Sequence, residues 1–131
     1  AGNVTKLANQ IVVGANIHGL AEALALATKA GVNPETVVDA IKGGLAGSNV
    51  MNAKGPMMYD RNFTAGFRIE LHQKDINNAM ETARELGIPL PVTANLQQVL
   101  TSLVEKGHGK EDHSGILHYV EDSAGLEVKK F

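Results

Sequence analysis

The residues with the clearest chemical potential lie at the start of the chain, in the stretch Gly2-Asn3-Val4-Thr5-Lys6-Leu7-Ala8-Asn9-Gln10. Lys6, Asn9 and Gln10 are three and four residues apart, so a helix would project them toward one side. An ammonium beside two carboxamides can hold an oxygen-bearing substrate and transfer a proton to it. A solvated polar face near a helix start explains the same residues, and the spacing alone favours that plainer interpretation.

Three of the five histidines, His108, His113 and His118, lie near the C-terminus and raise the question of a metal site. Their spacings of five and five residues give no helical i, i+4 pair, and no nearby carboxylate completes a recognised ligand pattern. We therefore expect no metal site. Of the other two histidines, His18 is expected on a helix face and His72 at the protein surface.

Several other kinds of site are excluded by composition or context. The chain has no cysteine and no Gly-x-Ser-x-Gly elbow, so it shows no nucleophile motif for covalent hydrolysis. The glycine-rich stretch 43–48 follows a helix pattern rather than a strand and lacks a Lys-Ser/Thr ending, which argues against phosphate binding. A net charge of −2, with three phenylalanines, two tyrosines and no tryptophan, argues against nucleic acid as a partner.

The length and composition predict one soluble globular domain. The chain has 131 residues, of which 44% are hydrophobic and 20% charged, and no apolar run approaches the roughly 18 residues of a membrane span. We expect no membrane association, and the absence of cysteine fits a cytoplasmic protein. No secretory leader is visible, and the chain begins in mid-motif, which suggests a piece of a longer protein.

Apolar residues recur at intervals of three and four, without sustained alternation, so these elements must form an all-α fold. The first helix is long and contains Gly14 and Gly19, which indicate close packing of other helices at both points. The segment from Gly55 to Asn62 is predicted to be irregular because it contains Gly-Pro and Asp-Arg-Asn. The predicted helices span about 3–30, 34–42, 48–54, 68–86, 92–107 and 112–124. Ser48 and Asp112 are expected to cap the third and the last of these helices, and Gly125 is expected to end the last one.

The opening stretch, residues 1–10, resembles the Gly-x-Gly-x-x-x-Lys-x-x-Asn signature of the β-hydroxyacid dehydrogenase family, whose first glycine would lie just before residue 1. The similarity spans nearly the whole chain and continues through 22–34, 43–48, 60–69 and 71–75. It implies an all-α bundle with a long first helix, like the C-terminal domain of 6-phosphogluconate dehydrogenase. Residues 1–131 would then be a single substrate-binding and dimerisation domain, without the N-terminal Rossmann domain of the whole enzyme.

The resemblance also implies roles for individual residues. The family's catalytic lysine falls on Lys6, which would be the general acid when hydride reaches the substrate carbonyl. The supporting amide falls on Asn9, and Gln10 stands where many relatives have a second asparagine. Both are expected to bind substrate. The family's Gly-Phe and Lys-Asp elements fall on 66–67 and 74–75, and Phe67 and Lys74 are expected to contact the cofactor.

The function that the resemblance implies is NAD(P)-linked oxidation and reduction of a small hydroxyacid. The middle stretches favour tartronate semialdehyde and D-glycerate as the substrate pair, with 3-hydroxyisobutyrate or another short β-hydroxyacid as the alternative. The cofactor would be held mainly by the absent domain, so the isolated chain would be inactive and could act only as a dimerisation module. The expected partners are the small-molecule substrate and further copies of the chain, in a homodimer or higher homo-oligomer.

Overall fold

The structure, a computed structural model, describes residues 3–131. In this part of the chain six α-helices and one short 3₁₀ turn follow one another without a β-strand, which confirms the all-α prediction. The helices are α1 (Val4–Lys29), α2 (Pro34–Ile41), α3 (Asn49–Tyr59), α4 (Ile69–Leu86), α5 (Pro91–Glu105) and α6 (Ile116–Ala124), with the 3₁₀ turn at His113–Gly115.

Local sequence signals set both ends of the long helix α1. The Asn3 side chain accepts hydrogen bonds from the backbone N–H groups of Thr5 and Lys6, so it caps the first turn. Gly31 follows the helix with a φ of +83°, a left-handed conformation that glycine adopts without strain. The cap places Lys6 in the first turn of α1, where its direction is fixed by the helix.

Helix α1 is the centre of the bundle and contacts each of the other five helices. Its buried stripe recurs at three- and four-residue intervals and includes Leu7, Gln10, Gly14, Ile17, Ala21 and Leu24. Helices α4 and α5 pack against each other and against α1. The core therefore lies between α1 and the α4–α5 pair, and it is completed by α3 and α6.

The two glycines within α1 have different surroundings. A Cβ atom at Gly14 would lie 2.4 Å from Leu96 Cδ2 and 3.1 Å from His72 Nε2, so any larger residue would force these buried side chains to shift. A Cβ atom at Gly19 would meet nothing within 4 Å in residues 3–131. The predicted close packing is therefore confirmed at Gly14, whereas no other helix of the described residues packs against Gly19.

Helix α3 is longer than the sequence predicts. Ser48 caps it as expected, by accepting a hydrogen bond from Met51 N at 2.9 Å, but the helix continues through Gly55 and Pro56 to Tyr59. Proline lacks the N–H that an interior helical position donates, so tertiary packing must compensate. Met58 is fully buried and Tyr59 is 7% exposed, and their burial holds the last turn in helical form.

The C-terminal helix begins later than predicted. Asp112 does act as a cap, because its side chain accepts a hydrogen bond from Ser114 N. The turn that it caps is the 3₁₀ segment, however, and α6 starts only at Ile116. Gly125, with a φ of +68°, ends α6 as expected.

Helix α1 is also long and apolar enough to cross a membrane by length and composition, which the sequence-based expectation did not foresee. One third of its most apolar window (33%) is buried within the chain. Its position among five other helices is that of a core helix, and the core helix of a globular domain meets the same criterion.

Candidate active site

Lys6, Asn9 and Gln10 are brought together around one carboxylate, that of Asp75 on α4. The Lys6 ammonium lies 3.5 Å from Asp75 Oδ1, and Gln10 Nε2 donates to Asp75 Oδ2 at 3.0 Å. Asn9 Nδ2 in turn donates to Gln10 Oε1 at 2.9 Å. The first turns of α1 and the facing turn of α4 thus form one polar cluster, which we call the Lys6–Asp75 network.

Burial in this network is graded from inside to outside. Gln10 and Asp75 are 8% and 7% exposed, whereas the Lys6 side chain is 61% exposed. The buried carboxylate and amide hold each other in place, so the cation has a fixed anchor and an accessible head. An ammonium with this geometry can contact a small molecule from solvent and also exchange a proton with it.

A buried histidine pair lies directly behind the Lys6–Asp75 network. His72 Nδ1 and His113 Nδ1 are 2.8 Å apart, and His72 Nε2 is 2.9 Å from the backbone oxygen of Gln10. A carbonyl only accepts, so His72 carries its proton on Nε2, and His113 then donates from Nδ1 to the unprotonated Nδ1 of His72. His72 is fully buried, and the prediction that it lies at the surface is wrong.

Both histidines of this pair are held neutral. Burial lowers the pKa of His72 below its usual value. Burial, reinforced by the nearby Lys54 ammonium and by His72, lowers the pKa of His113 to about 3. The pair therefore serves as a neutral support that fixes the α1 backbone at Gln10 to α4 and to the turn at His113.

The loop before α4, which carries Phe67, is anchored by the fully buried carboxylate of Asp112. Asp112 Oδ1 accepts from the backbone N–H groups of Gly66 and Phe67 at 2.9 and 3.0 Å, and Lys54 Nζ lies 3.1 and 3.2 Å from its two oxygens. Burial alone raises the pKa of Asp112, but the Phe67 and Ser114 donors and Lys54 stabilise the carboxylate and lower the pKa to about 2. The carboxylate stays ionised, and it fixes the position of Phe67.

The two residues expected to contact a cofactor lie in different surroundings. The Phe67 ring is partly buried against the histidine pair, 5.8 Å from the His72 ring and 5.3 Å from the His113 ring between centroids. Phe67 is thereby connected to the Lys6–Asp75 network through His72. Lys74 is exposed on α4, one residue before Asp75.

The three C-terminal histidines do not all lie together in the structure. His113 turns inward to His72, whereas His108 and His118 lie on either side of Glu111. A carboxylate thus lies between two of the histidines, at a spacing that matches no recognised ligand pattern. Glu111, three residues after His108 in sequence, is the residue that the sequence-based argument passed over.

Sequence reasoning also missed the supporting roles of Asp75 and His72. A signal for both was present, because the buried positions of α4 are Ile69, His72, Asp75, Ile76, Ala79 and Ala83, at helical spacing. A histidine and an aspartate inside an apolar stripe require buried partners. The identity of those partners, Gln10 and His113, depends on the packing of other elements.

Comparison with known proteins places the chain in a family. Residues 1–120 match the family profile described as the NAD-binding domain of NADP-dependent 3-hydroxyisobutyrate dehydrogenase. The chain is 41% identical over 120 residues to 2-hydroxy-3-oxopropionate reductase of Escherichia coli, a match that covers 92% of this chain and 41% of that protein. It is 35% identical over 129 residues to 2-(hydroxymethyl)glutarate dehydrogenase of Eubacterium barkeri, covering 98% of this chain and 43% of that protein.

A solved structure shows the same fold. The crystal structure of 3-hydroxyisobutyrate dehydrogenase from Salmonella typhimurium superposes with a TM-score of 0.84 at 29% identity, over 90% of this chain and 41% of that one. The chain thus spans about two fifths of the length of these relatives. The family profile, the helical fold and the two curated relatives agree, and the chain belongs to the β-hydroxyacid dehydrogenase family.

Proposed function

We propose that the protein to which this chain belongs interconverts tartronate semialdehyde and D-glycerate with NAD(P), and that Lys6 is its acid–base residue. The observation that carries this proposal is the Lys6–Asp75 network, in which an accessible ammonium is anchored 3.5 Å from a buried carboxylate. The substrate is suggested by the 41% identity to a reductase named for that reaction.

In the reductive direction, negative charge develops on the carbonyl oxygen of the substrate as hydride reaches its carbon. A positioned ammonium stabilises that charge and donates the proton that completes the hydroxyl group. Lys6 would supply both effects. In the oxidative direction the same amine, once neutral, would accept the hydroxyl proton.

The neighbours of Lys6 would orient the substrate and the lysine. Asn9 is exposed beside Lys6, so its amide can hydrogen-bond a substrate oxygen without changing the local charge. Gln10 is buried and donates to Asp75, so its direct partner is the carboxylate. We assign Gln10 to the substrate wall through its hold on Asp75 and Asn9.

The cofactor would supply the hydride, and this chain offers contacts for only one end of it. The partly buried Phe67 ring and the exposed Lys74 can border a nicotinamide and a charged group, respectively. Residues 3–131 contain no strand, glycine loop and helix unit of the kind that binds a pyrophosphate. We therefore expect the isolated chain to bind NAD(P) weakly and to be inactive, which calorimetry and a turnover assay can test.

Self-association is the second part of the proposal. Gly19 faces an open groove between α1 and α5, lined by Ala15, His18, Val92 and others, and Val92 is 66% exposed. Small residues allow another helix to approach closely, so a second copy of the chain can pack there. Sedimentation should show a dimer or a higher homo-oligomer. A monomer with native helicity at tens of micromolar would contradict this part.

The catalytic proposal is tested by replacing Lys6 in the full-length protein. Lys6→Ala should lower kcat by about 10²–10⁴, the usual contribution of a general acid–base residue. Lys6→Arg should not restore the rate, because a guanidinium keeps its proton at any accessible pH. Lys29→Ala, at the other end of the same helix, is the matched control and should behave as wild type.

Two results would reject the proposal in different ways. If Lys6→Ala kept more than about a tenth of the activity, the acid–base assignment would be wrong. If a substrate panel showed the highest kcat/KM for 3-hydroxyisobutyrate or another short hydroxyacid, the mechanism would stand and the substrate assignment would fall. The panel should include D-glycerate, 3-hydroxyisobutyrate and 2-(hydroxymethyl)glutarate.

A further inference from the structure

A second cluster of chemically active side chains lies away from the Lys6–Asp75 network, where the end of α5 meets α6. It consists of His108, in the loop after α5, Glu111, in the same loop, and His118, on α6. Each offers one ligand atom, and the three ligand atoms lie within 4.8 Å of one another. We infer that His108, Glu111 and His118 form a binding site for a divalent transition metal, with Zn²⁺ as the best match.

Two of the separations between the ligand atoms are close to those found around one small ion. His108 Nδ1 lies 3.0 Å from Glu111 Oε1, in a hydrogen bond that the metal would replace, and His118 Nε2 lies 3.1 Å from the same oxygen. Zinc binds imidazole nitrogen and carboxylate oxygen at about 2.0–2.2 Å, so neighbouring ligands of a tetrahedral zinc are roughly 3.3 Å apart. Two histidines and one glutamate leave a fourth position for water.

The surroundings of His118 prepare it as a ligand. Its Nδ1 lies 3.4 Å from Glu121 Oε1, so a proton on Nδ1 leaves the lone pair on Nε2, which lies near Glu111. Glu121 is itself held by Arg61 at 2.6 Å and by the backbone N–H of Val128 at 2.7 Å. A carboxylate that orients a histidine in this way is the usual outer contact of a zinc ligand.

His118 Nε2 also lacks a satisfactory hydrogen bond. It is buried, and although it lies 3.1 Å from Glu111 Oε1, it has no partner in a hydrogen-bonding direction among residues 3–131. Two ligands of one metal ion show this relation, because each lone pair is directed at the ion between them and not at the other ligand. A bound zinc would satisfy the nitrogen that the protein alone leaves without a partner.

Coordination requires one local movement. The rings of His108 and His118 are stacked, with centroids 4.6 Å apart and planes inclined by 19°, and a metal must lie near the plane of each ring. The His108 ring must therefore turn out of the stack. It is able to do so because its side chain is 29% exposed and follows the turn at Gly107.

The loop that carries two of the ligands also supports the Phe67 segment. Ile69 N donates to Glu111 O and Glu70 N donates to Gly109 O, both at 2.9 Å, and Asp112 follows directly. A metal that joins this loop to α6 would stabilise the folded chain, because an ion that binds only the native state shifts the unfolding equilibrium. The site is thus expected to be structural, at a distance from the proton-transfer chemistry.

The test titrates ZnCl₂ into the tag-free 131-residue chain. Calorimetry should show one zinc per chain, and the midpoint of thermal unfolding should rise with zinc concentration. His108→Asn, at a partly exposed loop position that should tolerate the change, should weaken binding by at least about tenfold and abolish the thermal shift. Lys110→Gln is the control, since Lys110 is exposed in the same loop, between His108 and Glu111, and should leave zinc binding unchanged.

A spectroscopic measurement on the wild type tests the metal ligands directly, even if a variant folds poorly. X-ray absorption of the zinc-bound wild type should show two imidazole ligands at about 2.0–2.1 Å. The inference is overturned if zinc at millimolar concentration neither binds nor shifts the unfolding midpoint. It is equally overturned if His108→Asn, with native helicity, binds zinc as tightly as Lys110→Gln, or if the absorption spectrum shows no imidazole.

Discussion

Replacing Asp112 by asparagine would test how the Phe67 segment is held in place. The side chain keeps its shape, but it loses the negative charge that faces Lys54, and one of its oxygens becomes an NH₂ group. Asp112 is fully buried and accepts from three backbone N–H groups as well as from Lys54. At least one of these donors would then face another donor.

The expected loss of stability is about 3 kcal/mol, since breaking a buried ion pair from one side usually costs about 3–5 kcal/mol. The lower end applies because the Lys54 side chain is 15% exposed and can draw in water. The pKa of Asp112 gives a consistent figure. A pKa lowered from 3.8 to about 2 corresponds to about 2 kcal/mol, which is present at neutral pH and is lost as the pH falls toward 2.

Urea unfolding at pH 7, followed by helical circular dichroism, measures this difference. Asp122→Asn is the matched control, because Asp122 forms an exposed pair with Lys106 at 3.7 Å and should lose less than about 1 kcal/mol. The double variant Lys54→Met with Asp112→Asn should be less destabilised than the sum of the single variants. If Asp112→Asn lost no more than Asp122→Asn, the buried pair would not be the anchor that its geometry indicates.

Three further predictions concern α1 and its supports. Gly14→Ala should destabilise the chain by about 1–2 kcal/mol, because overpacking against α5 outweighs the gain in helix propensity, whereas Gly19→Ala should stabilise it by up to about 1 kcal/mol. Equal urea midpoints for the two variants would refute this prediction. A loss of stability in Gly19→Ala that varies with protein concentration would indicate self-association. Because the pKa of His113 is about 3 when folded and 6.5 when unfolded, its protonation should lower the stability by up to about 2 kcal/mol between pH 6.5 and 4.5. His113→Gln should reduce that slope in denaturation series at each pH, and the part due to the lowered pKa of His72 should remain. In the full-length protein, Asp75→Asn should lower kcat/KM by about tenfold, since a charge-assisted hydrogen bond is worth about 1.5–3 kcal/mol. Steady-state rates equal to those of the wild type would show that Lys6 does not need the Asp75 carboxylate to hold it in place.

The helices and most of their ends were determined by the sequence itself. The terminators Gly31, Gly87 and Gly125 all have a φ between +68° and +83°, and Asn3 and Asn33 cap the helices that follow them. These signals act within a few residues, because a cap or a left-handed glycine satisfies backbone groups of its own turn. Apolar spacing gave the all-α class for the same local reason. The grouping of Lys6 with Asn9 and Gln10 follows from helical geometry alone.

The partners of the functional residues were decided only by the tertiary structure. Asp75 and Gln10 are 65 residues apart, Lys54 and Asp112 are 58 apart, and His72 and His113 are 41 apart. The secondary-structure propensities of the residues do not predict such pairs, since the pairs form only when separate helices pack together and exclude water. The same tertiary packing keeps α3 helical through Pro56. A buried polar group without a hydrogen-bond partner is energetically costly, so the histidines, carboxylates and amides in the core must be paired with one another. Which of them pair depends on how the helices pack, and the spacing of residues along the chain does not show it.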